Sequence, residues 1–311
     1  MAGIRIPKGW EIPPRQATPE PLAMNRRKFL SRLAVAAAGT TGLLSPARSA
    51  TAELYPAPRN PAYSLDRPLT AEAVVTRYNN FFEFSELKNE VWKLTDRFET
   101  RPWTLQVTGL VHKPQTFDLY RLIRRMPLEE RLYRHRCVEA WSMAVPWTGF
   151  PFKALLDLVQ PKIDARYVRF VSFFRPEQAP GQKKLPQHPW PHAAGLTLAE
   201  AANELSFLAT GMYGHELPKQ NGAPVRLVVP WKYGFKSLKS IVAVEFTRTR
   251  PRVLWDNKEV TDDALHFTAN VDPQAAHEGR SQATETDIGT GAIRPTQLYN
   301  GYGPYVAHLY E

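Results

Sequence analysis

The chain contains a single cysteine, Cys137, among its 311 residues. One thiol cannot form a disulfide within the chain, so the fold cannot be held together by cystines. A chain of this length has ample residues to bury a hydrophobic core, and 43% of its residues are hydrophobic. We therefore expect a globular fold stabilised by its core, in one large domain or two small ones.

The first 52 residues have the pattern of a twin-arginine export signal. The segment Asn25-Arg-Arg-Lys-Phe-Leu30 precedes an apolar run over 33–44, and Ala52 ends a small-residue cleavage site. The run is too short to cross a bilayer, which takes about 20 residues. We expect removal of residues 1–52, a single domain over 53–311 and a periplasmic location; an uncleaved anchor helix is the alternative. Because this route exports folded proteins, commonly after cofactor insertion, the signal also favours a cofactor.

The surroundings of Cys137 leave two interpretations open. Arg134, His135 and Arg136 precede it directly, and neighbouring cations lower the pKa of a thiol and favour the thiolate, which is the nucleophilic and metal-binding form. A free cysteine is also often buried as a small apolar residue. An exposed, unpaired thiol outside the cytoplasm is prone to oxidation, so we expect Cys137 to be either buried or bound to a ligand.

The basic charge of the chain does not indicate a nucleic-acid partner. The formal net charge is +10, but residues 1–50 hold eight Lys/Arg and two Asp/Glu and so supply +6 of it. A nucleic-acid-binding domain usually presents a concentrated basic face. We therefore expect no nucleic-acid binding.

Several common sites are absent from the sequence. It has no Gly-x-Gly-x-x-Gly and no Walker-type phosphate loop, which argues against the common nucleotide-binding folds, and no Gly-x-Ser-x-Gly elbow of a serine hydrolase. His188 and His192 have helix-face spacing, but Pro189 and Pro191 prevent a regular helix there. A zinc site at these histidines is not expected.

Strand and helix patterns follow one another without a regular βαβ alternation, which favours an α+β fold with mixed sheets and flanking helices over a doubly wound sheet. The apolar periodicities predict strands over 103–111, 131–138, 167–174, 225–229 and 241–246, and helices over 117–126, 152–159 and 197–208, the last begun by a capping box. Prolines predict a turn over 146–151 and a long loop over 177–194, and the chain beyond residue 250 looks irregular.

Two dense stretches are candidates for a binding site. Residues 76–84 combine four aromatic side chains with two amides and a carboxylate, which suits a buried polar site as well as the edge of an aromatic core. Residues 221–240 space four cations among aromatics and glycine. Such a stretch could bind an anionic, ring-bearing ligand, although a solvated basic hairpin is the commoner reading of a charge run.

Four segments of the chain, taken together, carry a resemblance to one protein family. They are Tyr78-Asn-Asn-Phe81, Arg134-His-Arg-Cys-Val-Glu-Ala-Trp-Ser-Met143, Gln220-Asn-Gly-Ala-Pro-Val-Arg226 and Pro230-Trp-Lys-Tyr-Gly-Phe-Lys236. They resemble the catalytic subunits of periplasmic protein-methionine-sulfoxide reductases, a branch of the sulfite-oxidase-like molybdenum enzymes. The resemblance implies a sulfite-oxidase-like molybdopterin-binding fold and one molybdenum-molybdopterin per subunit.

The resemblance also implies roles for individual residues. Cys137 would supply the protein thiolate to molybdenum, a match of soft ligand and polarizable metal, and Asn80 and Glu139 would lie near the metal. The residues implied in binding the pterin and its phosphate are Asn79, Phe82, Glu83, Ser172, Asn221, Arg226, Ser237, Leu238 and Lys239. The family pattern has a tyrosine at Phe82 and a threonine at Ser172; a hydroxyl is retained at the second position.

Within the superfamily, the residue that favours sulfoxide reduction is Glu139. Sulfite-oxidising relatives place arginines just after the cysteine, whereas this chain has Val138-Glu139-Ala140-Trp141. A carboxylate beside the metal would repel dianionic sulfite but not a neutral sulfoxide. We expect methionine sulfoxide reduction in oxidised periplasmic proteins, with electrons from a haem-containing membrane subunit.

Three alternatives remain open at this point. One is a sulfite dehydrogenase of the same superfamily. Another is an exported cysteine hydrolase or transpeptidase with Cys137 as nucleophile. The third is a non-catalytic binding protein.

Overall fold

Two β-sheets organise the part of the chain that the structure describes. The computed structural model describes residues 54–253, 267–277 and 279–311, so the predicted export signal over 1–52 lies outside the described residues. Among the described residues, no helix has the length and apolar character needed to cross a membrane.

The described residues form more β-strands than α-helices. The strands are β1 Thr104–Gly109, β2 Gln115–Asp118, β3 Glu129–Arg136, β4 Trp141–Pro151, β5 Tyr167–Ser172, β6 Ala193–Thr197, β7 Phe207–Met212, β8 His215–Glu216, β9 Arg226–Val228, β10 Ile241–Thr247, β11 Ala276–His277, β12 Arg280–Ser281, β13 Thr284–Asp287 and β14 Ile293–Pro295. The helices are α1 Glu72–Val75, α2 Val91–Leu94, α3 Leu119–Ile123, α4 Phe152–Val159, α5 Pro180–Lys184, α6 Leu198–Ala202 and α7 Gly303–Val306. Short 3-10 helices cover Lys219–Asn221, Gly234–Lys236, Leu298–Gly301 and Ala307–Leu309.

The first sheet has five strands in the order β2-β1-β10-β5-β6. Its pairs are antiparallel except β1 with β10, which run parallel. In β5 the burial alternates along the strand, as expected for a sheet with one face on the core. Helix α4 packs a buried apolar stripe that includes Phe152, whose ring lies 5.2 Å from that of Phe170 on β5.

The second sheet has seven strands and is built on β4. In this sheet β14, β13, β4, β7 and β8 lie side by side, with β3 also paired to β4 and β9 also paired to β7. Strand β4 is buried along ten of its eleven residues. Strand β13 pairs with it in parallel at Trp141 and Ser142. The end of β4 nearest Cys137 is therefore held on two sides.

Most of the predicted elements form where the sequence places them. Helix α4 has the predicted bounds 152–159, and β1, β3, β5, β9 and β10 fall within or close to their predicted ranges. The capping box of α6 is present, with Thr197 Oγ1 accepting from the Glu200 amide at 3.1 Å and Glu200 Oε2 accepting from the Thr197 amide at 2.8 Å. The predicted α+β class with mixed sheets and flanking helices is confirmed.

The predicted turn over 146–151 is wrong, because these residues continue β4. Proline lacks the amide that a central strand needs. Strand β7, however, ends at Met212 opposite Trp147. Pro146 therefore lies just beyond the end of that ladder, where its carbonyl accepts from Tyr213 at 3.2 Å and no strand bond is lost.

The predicted helix over 197–208 is too long, because α6 ends at Ala202 and β7 begins at Phe207. Asn203 has extended backbone angles, and its side chain accepts from the Leu205 amide at 2.9 Å. Such a local side-chain bond competes with helix continuation. Two further predictions were incomplete: the loop over 177–194 contains α5, and the chain beyond residue 250 contributes β13 and β14 to the second sheet.

Candidate active site

A cavity of about 410 Å³ brings together the residues singled out in the sequence. This volume lies in the range of small-molecule and cofactor pockets, roughly 300–1,000 Å³. Its walls come from the segment after α1, the connection between β3 and β4, the segment before β6 and the segment between β9 and β10. The lining residues used below are Tyr78, Asn79, Asn80, Phe82, Glu83, Glu86, His135, Cys137, Glu139, Trp141, His188, His192, Arg226, Ser237, Leu238 and Lys239.

Cys137 lies in a tight turn between β3 and β4. Its amide donates to the Trp141 carbonyl at 2.9 Å, and its carbonyl accepts from the Ala140 amide at 3.0 Å. Ala140 closes the turn with a φ of 64°, a left-handed conformation that is uncommon for residues other than glycine. The carbonyl of Ala140 accepts in turn from Thr286 on β13 at 2.9 Å. The turn is thus fixed by backbone bonds on both sides.

The buried side chain of Arg136 stabilises the same turn. Its side chain is fully buried and forms an ion pair with Glu285, 3.2 Å between Nε and Oε2. The guanidinium also donates to the Cys137 carbonyl and to the hydroxyl of Thr296 at 3.2 Å. A buried arginine held in this way positions the backbone of Cys137.

The residue Cys137 is 5% exposed, and its thiol faces polar partners. Sγ lies 3.5 Å from Asn80 Nδ2, 3.5 Å from the Glu139 amide and 3.9 Å from Glu139 Oε2. Burial, followed by the charge of Glu139, raises the pKa of Cys137 to about 12. In the protein without a bound metal, the thiol is the stable form.

The predicted lowering of the Cys137 pKa by its neighbours is therefore wrong. Arg134 turns away to Gln297 and to the Asn300 carbonyl, and the charge of Arg136 is balanced by Glu285. His135 is neutral near pH 7, because burial and then the positive charges of Arg226 and Lys239 lower its pKa well below the usual value. The three basic residues that precede Cys137 in the sequence therefore do not place a net positive charge beside its sulfur.

Glu139 is held in place by three donors. Its Oε2 accepts from Trp141 Nε1 at 2.9 Å and from Asn80 Nδ2 at 3.2 Å, and it lies 3.0 Å from Lys88 Nζ. Burial alone would raise the pKa of Glu139, but the hydrogen bonds from Trp141, Lys88 and Asn80 outweigh it and the pKa is lowered. A carboxylate therefore stands beside the sulfur at neutral pH.

Two cations line another part of the cavity. Arg226 is buried, and among the residues that the structure describes it donates only to backbone carbonyls, including Asn221 at 2.9 Å and Ser237 at 3.1 Å. Lys239 Nζ donates to the Asn80 carbonyl at 2.7 Å. Within the described ranges, neither forms an ion pair with a carboxylate. Burial lowers the pKa of Arg226 to about 9 and, with the charge of Arg226, that of Lys239 to about 7.

The other two cations of residues 221–240 serve the core rather than the cavity. Lys232 is buried against Glu200, with 2.5 Å between Nζ and Oε1. Lys236 donates to the carbonyls of Gly195 and Phe267 at 2.5 and 2.6 Å. The prediction that the four cations of residues 221–240 bind an anionic ligand therefore fits only two of them, Arg226 and Lys239. The alternative of a solvated basic face is wrong, because Arg226, Lys232 and Lys236 are buried.

The remaining predicted pterin-binding residues surround the same cavity. Asn79, Phe82, Glu83, Ser237 and Leu238 line it directly. Ser172 and Asn221 do not line the cavity but contact residues that do. Ser172 Oγ donates to Glu83 Oε1 at 3.2 Å, and Asn221 Nδ2 donates to Asn79 Oδ1 at 3.0 Å. The structure thus brings all the predicted site residues to one place, and their individual roles toward a cofactor stay predictions.

The sequence reasoning missed five side chains of this site. Lys88 follows the dense stretch 76–84 by a few residues, and Tyr78 and Trp141 had been noted only as parts of motifs. His188 and His192 lie at the cavity with 2.9 Å between their Nε2 atoms, and His192 Nδ1 lies 3.1 Å from Glu83. The spacing of these two histidines was noted in the sequence but discounted because of the prolines between and beside them. No group of three or more metal-binding side chains occurs among the described residues.

A model of the oxidoreductase molybdopterin-binding domain family matches residues 92–255, which is more than half of the chain. The chain belongs to this family. It is therefore a molybdopterin-dependent oxidoreductase by class, as the sequence segments predicted. Its fold is also similar to that of the sulfane dehydrogenase SoxCD from Paracoccus pantotrophus, with a TM-score of 0.48 and 12% identity over 86% of this chain and 68% of that chain.

The side chains of the cavity fit a molybdenum-molybdopterin. A single soft sulfur, Cys137, suits the metal, and metal binding deprotonates a thiol despite a raised pKa. Arg226 is buried and Lys239 is partly buried, and neither has a carboxylate partner in the described residues; a buried cation without one is costly unless an anion binds. The phosphate of the cofactor is such an anion.

Proposed function

We propose that this protein reduces methionine sulfoxide, free or in oxidised periplasmic proteins, to methionine and so repairs oxidative damage. The observation that supports this substrate is the carboxylate of Glu139, whose Oε2 lies 3.9 Å from the candidate metal ligand Cys137 Sγ. A carboxylate at this distance repels a dianion strongly and the partly negative oxygen of a neutral sulfoxide only weakly.

The cations nearest to Cys137 do not reverse this preference. Arg134 is paired with Asp66 and Arg136 with Glu285, and Lys88, which is paired with Glu139, reduces the negative charge of that carboxylate without leaving a net positive charge. In sulfite-oxidising relatives, arginines at the metal attract the substrate. Here the arginines beside the cysteine are already occupied by carboxylates, which supports a neutral substrate.

The chain would hold one cofactor through two groups of residues. Cys137 would bind the metal, with Asn80 and Glu139 beside it. The residues for the pterin and its phosphate would be Asn79, Phe82, Glu83, Ser172, Asn221, Arg226, Ser237, Leu238 and Lys239. When bound, the cofactor supplies an acceptor for the sulfoxide oxygen and the two electrons of the reduction.

The chain's own residues would contribute position and protons. Reduction of one sulfoxide consumes two electrons and two protons and yields a thioether and water. Glu139 Oε2 lies 3.9 Å from the sulfur and, being ionised at neutral pH, would accept protons from solvent and pass them on, while Asn80 contacts both Glu139 and the thiol. We propose that the electrons come from a haem-containing membrane subunit, after export by the twin-arginine machinery to the periplasm.

The alternative of a cysteine hydrolase finds little support in the geometry. A nucleophilic cysteine needs a lowered pKa and a base within hydrogen-bond reach. In the part of the chain that the structure describes, Cys137 Sγ contacts Asn80 and Glu139 and no imidazole, and its pKa is raised to about 12.

The proposed function is tested on the purified mature protein by metal analysis and two assays. We expect molybdenum, reduction of methionine sulfoxide with a reduced viologen dye as donor, and little sulfite oxidation with ferricyanide as acceptor. Cys137→Ser should lose the metal and the activity while its circular dichroism stays unchanged. Faster sulfite oxidation than sulfoxide reduction would favour a sulfite dehydrogenase, and metal-free protein with full thiol reactivity would favour the hydrolase.

A further inference from the structure

Tyr78 occupies the reactive part of the cavity. Its ring packs edge-on against Trp141, with 5.3 Å between centroids, and Trp141 in turn donates to Glu139. Tyr78 lines the cavity together with Cys137 and Glu139, and the charges of Lys88 and Glu139 both act on its hydroxyl. Tyr78 therefore belongs to the same end of the cavity as the thiol.

Three other donors at this end are directed at the thiol or at Glu139. Asn80 Nδ2 is shared between Cys137 Sγ and Glu139, and Trp141 Nε1 and Lys88 Nζ are both directed at Glu139. In contrast, the hydroxyl of Tyr78 donates to no protein group in the described part of the chain. A phenol that lines a cavity without a protein acceptor is available to a ligand.

The chemistry of a sulfoxide requires such a donor. The oxygen of a sulfoxide carries partial negative charge and accepts hydrogen bonds, whereas the thioether product has only a weakly accepting sulfur. The carboxylate of Glu139 repels that oxygen. A donor on the same wall would offset the repulsion and orient the substrate, and it would favour the substrate over the product.

We propose that the hydroxyl of Tyr78 donates a hydrogen bond to the oxygen of a bound dialkyl sulfoxide. This role rests on the proposed sulfoxide reduction and adds a substrate-binding residue to it. The phenol keeps its proton, so it fixes the position of the oxygen and takes no part in the electron balance. The edge of Trp141 would hold the ring in place during binding.

The variant Tyr78→Phe removes the hydroxyl and keeps the ring that packs on Trp141. With rates normalised to molybdenum content, we expect kcat/KM for methionine sulfoxide to fall about 10- to 100-fold, as for the loss of one donor at a reacting oxygen. Titration calorimetry of the oxidised enzyme, which does not turn over without a reductant, should show weaker binding of methionine sulfoxide and unchanged binding of methionine.

Tyr167→Phe is the matched control. Tyr167 also makes an edge contact with an aromatic ring, that of Phe267 at 5.8 Å, but does not line the cavity. We expect this variant to behave like the wild type within twofold. Wild-type sulfoxide affinity in Tyr78→Phe, or equal losses of sulfoxide and methionine affinity, would overturn the inference. A wild-type enzyme that binds sulfoxide through Tyr78 but does not reduce it would instead contradict the proposed function.

Discussion

At the scale of single residues, Glu139 is the group whose charge should decide between anionic and neutral substrates. We predict that Glu139→Gln strengthens inhibition of sulfoxide reduction by sulfite about tenfold or more. Two unit charges 4 Å apart near a protein surface interact by about 4 kcal/mol, and this repulsion disappears with the carboxylate. The inhibition constant for sulfite, measured at constant ionic strength, tests the prediction.

Glu86→Gln is the control for that measurement. Glu86 also lines the cavity, but it is exposed and does not contact Cys137. It should leave sulfite inhibition within twofold of the wild type. Equal effects of the two substitutions would mean that general cavity charge, and not Glu139 beside the sulfur, excludes sulfite.

Lys239 should make anion binding to the apoprotein depend on pH. Its pKa is lowered to about 7 in the free protein, so its ammonium group loses its proton as the pH rises above that value. A bound phosphate raises the pKa again, so binding takes up a proton and the affinity falls with rising pH, by at most about tenfold per unit. Calorimetric affinities for phenyl phosphate at pH 7 and pH 9 should show this fall in the wild type and a flatter profile in Lys239→Gln.

At the scale of elements, the contact between β4 and β7 leaves no room for a side chain at Gly149. A Cβ there would collide with the Leu208 carbonyl oxygen and lie 2.8 Å from Ala209 Cα. We predict that Gly149→Ala lowers the free energy of unfolding by about 1–3 kcal/mol, the usual cost of overpacking a core. Denaturant unfolding measures the change.

Gly303 supplies the matched control for this substitution. A Cβ at Gly303 would meet its nearest atom, Tyr299 Cδ2, at 3.8 Å, and its φ is not left-handed. Gly303→Ala should therefore change the stability by less than about 0.5 kcal/mol, as is usual away from packed sites. Similar losses in both variants would show that the β4–β7 contact is looser than described.

Local sequence pattern was sufficient for some elements and insufficient for others. Helix α4 and strand β3 follow from their apolar periodicity, and β3 delivers Cys137 directly after its last residue. Strands β4 and β7 were mistaken because they are buried on both faces, which removes the alternation that identifies a strand. Whether Pro146 interrupts a strand depends on where the neighbouring strand ends, and a single sequence does not contain that information.

The candidate site shows the same division. Its members were implied by the family resemblance, which rests on motifs in short segments of the chain. The sequence did not show which partner each charged side chain contacts in the fold. Lys232 and Lys236 turn into the core, Arg134 and Arg136 are neutralised by distant carboxylates, and Lys88 reaches Glu139 from a segment without a motif. These outcomes depend on tertiary neighbours.

At the scale of the whole molecule, the buried pair of Lys232 and Glu200 joins α6 to the C-terminal segment. Lys232 Nζ also donates to Asn270 Oδ1 at 2.8 Å, and Tyr310 OH donates to Glu200 at 2.7 Å. We predict that Lys232→Met costs about 3–5 kcal/mol of stability, because it leaves a buried carboxylate without its partner. Thermal and denaturant unfolding test this value.

The exposed pair of Lys153 and Asp157 is the comparison. It joins two residues one helical turn apart on α4, with 2.6 Å between Nζ and Oδ1. Such pairs contribute about 0.3–0.5 kcal/mol. Lys153→Met should therefore be nearly neutral, and a Lys232→Met protein as stable as Lys153→Met would contradict the role given to the buried pair.

The distribution of the cavity walls along the chain also sets an order of events in the cell. Tyr78 and His277 face the same cavity although they lie 199 positions apart in the sequence, and β10 pairs with β1 to complete the first sheet. A chain still emerging from the ribosome therefore has no complete pocket until almost all of it has been synthesised. We expect the cofactor to bind late, after translation, because the nearly complete fold must first form the binding pocket.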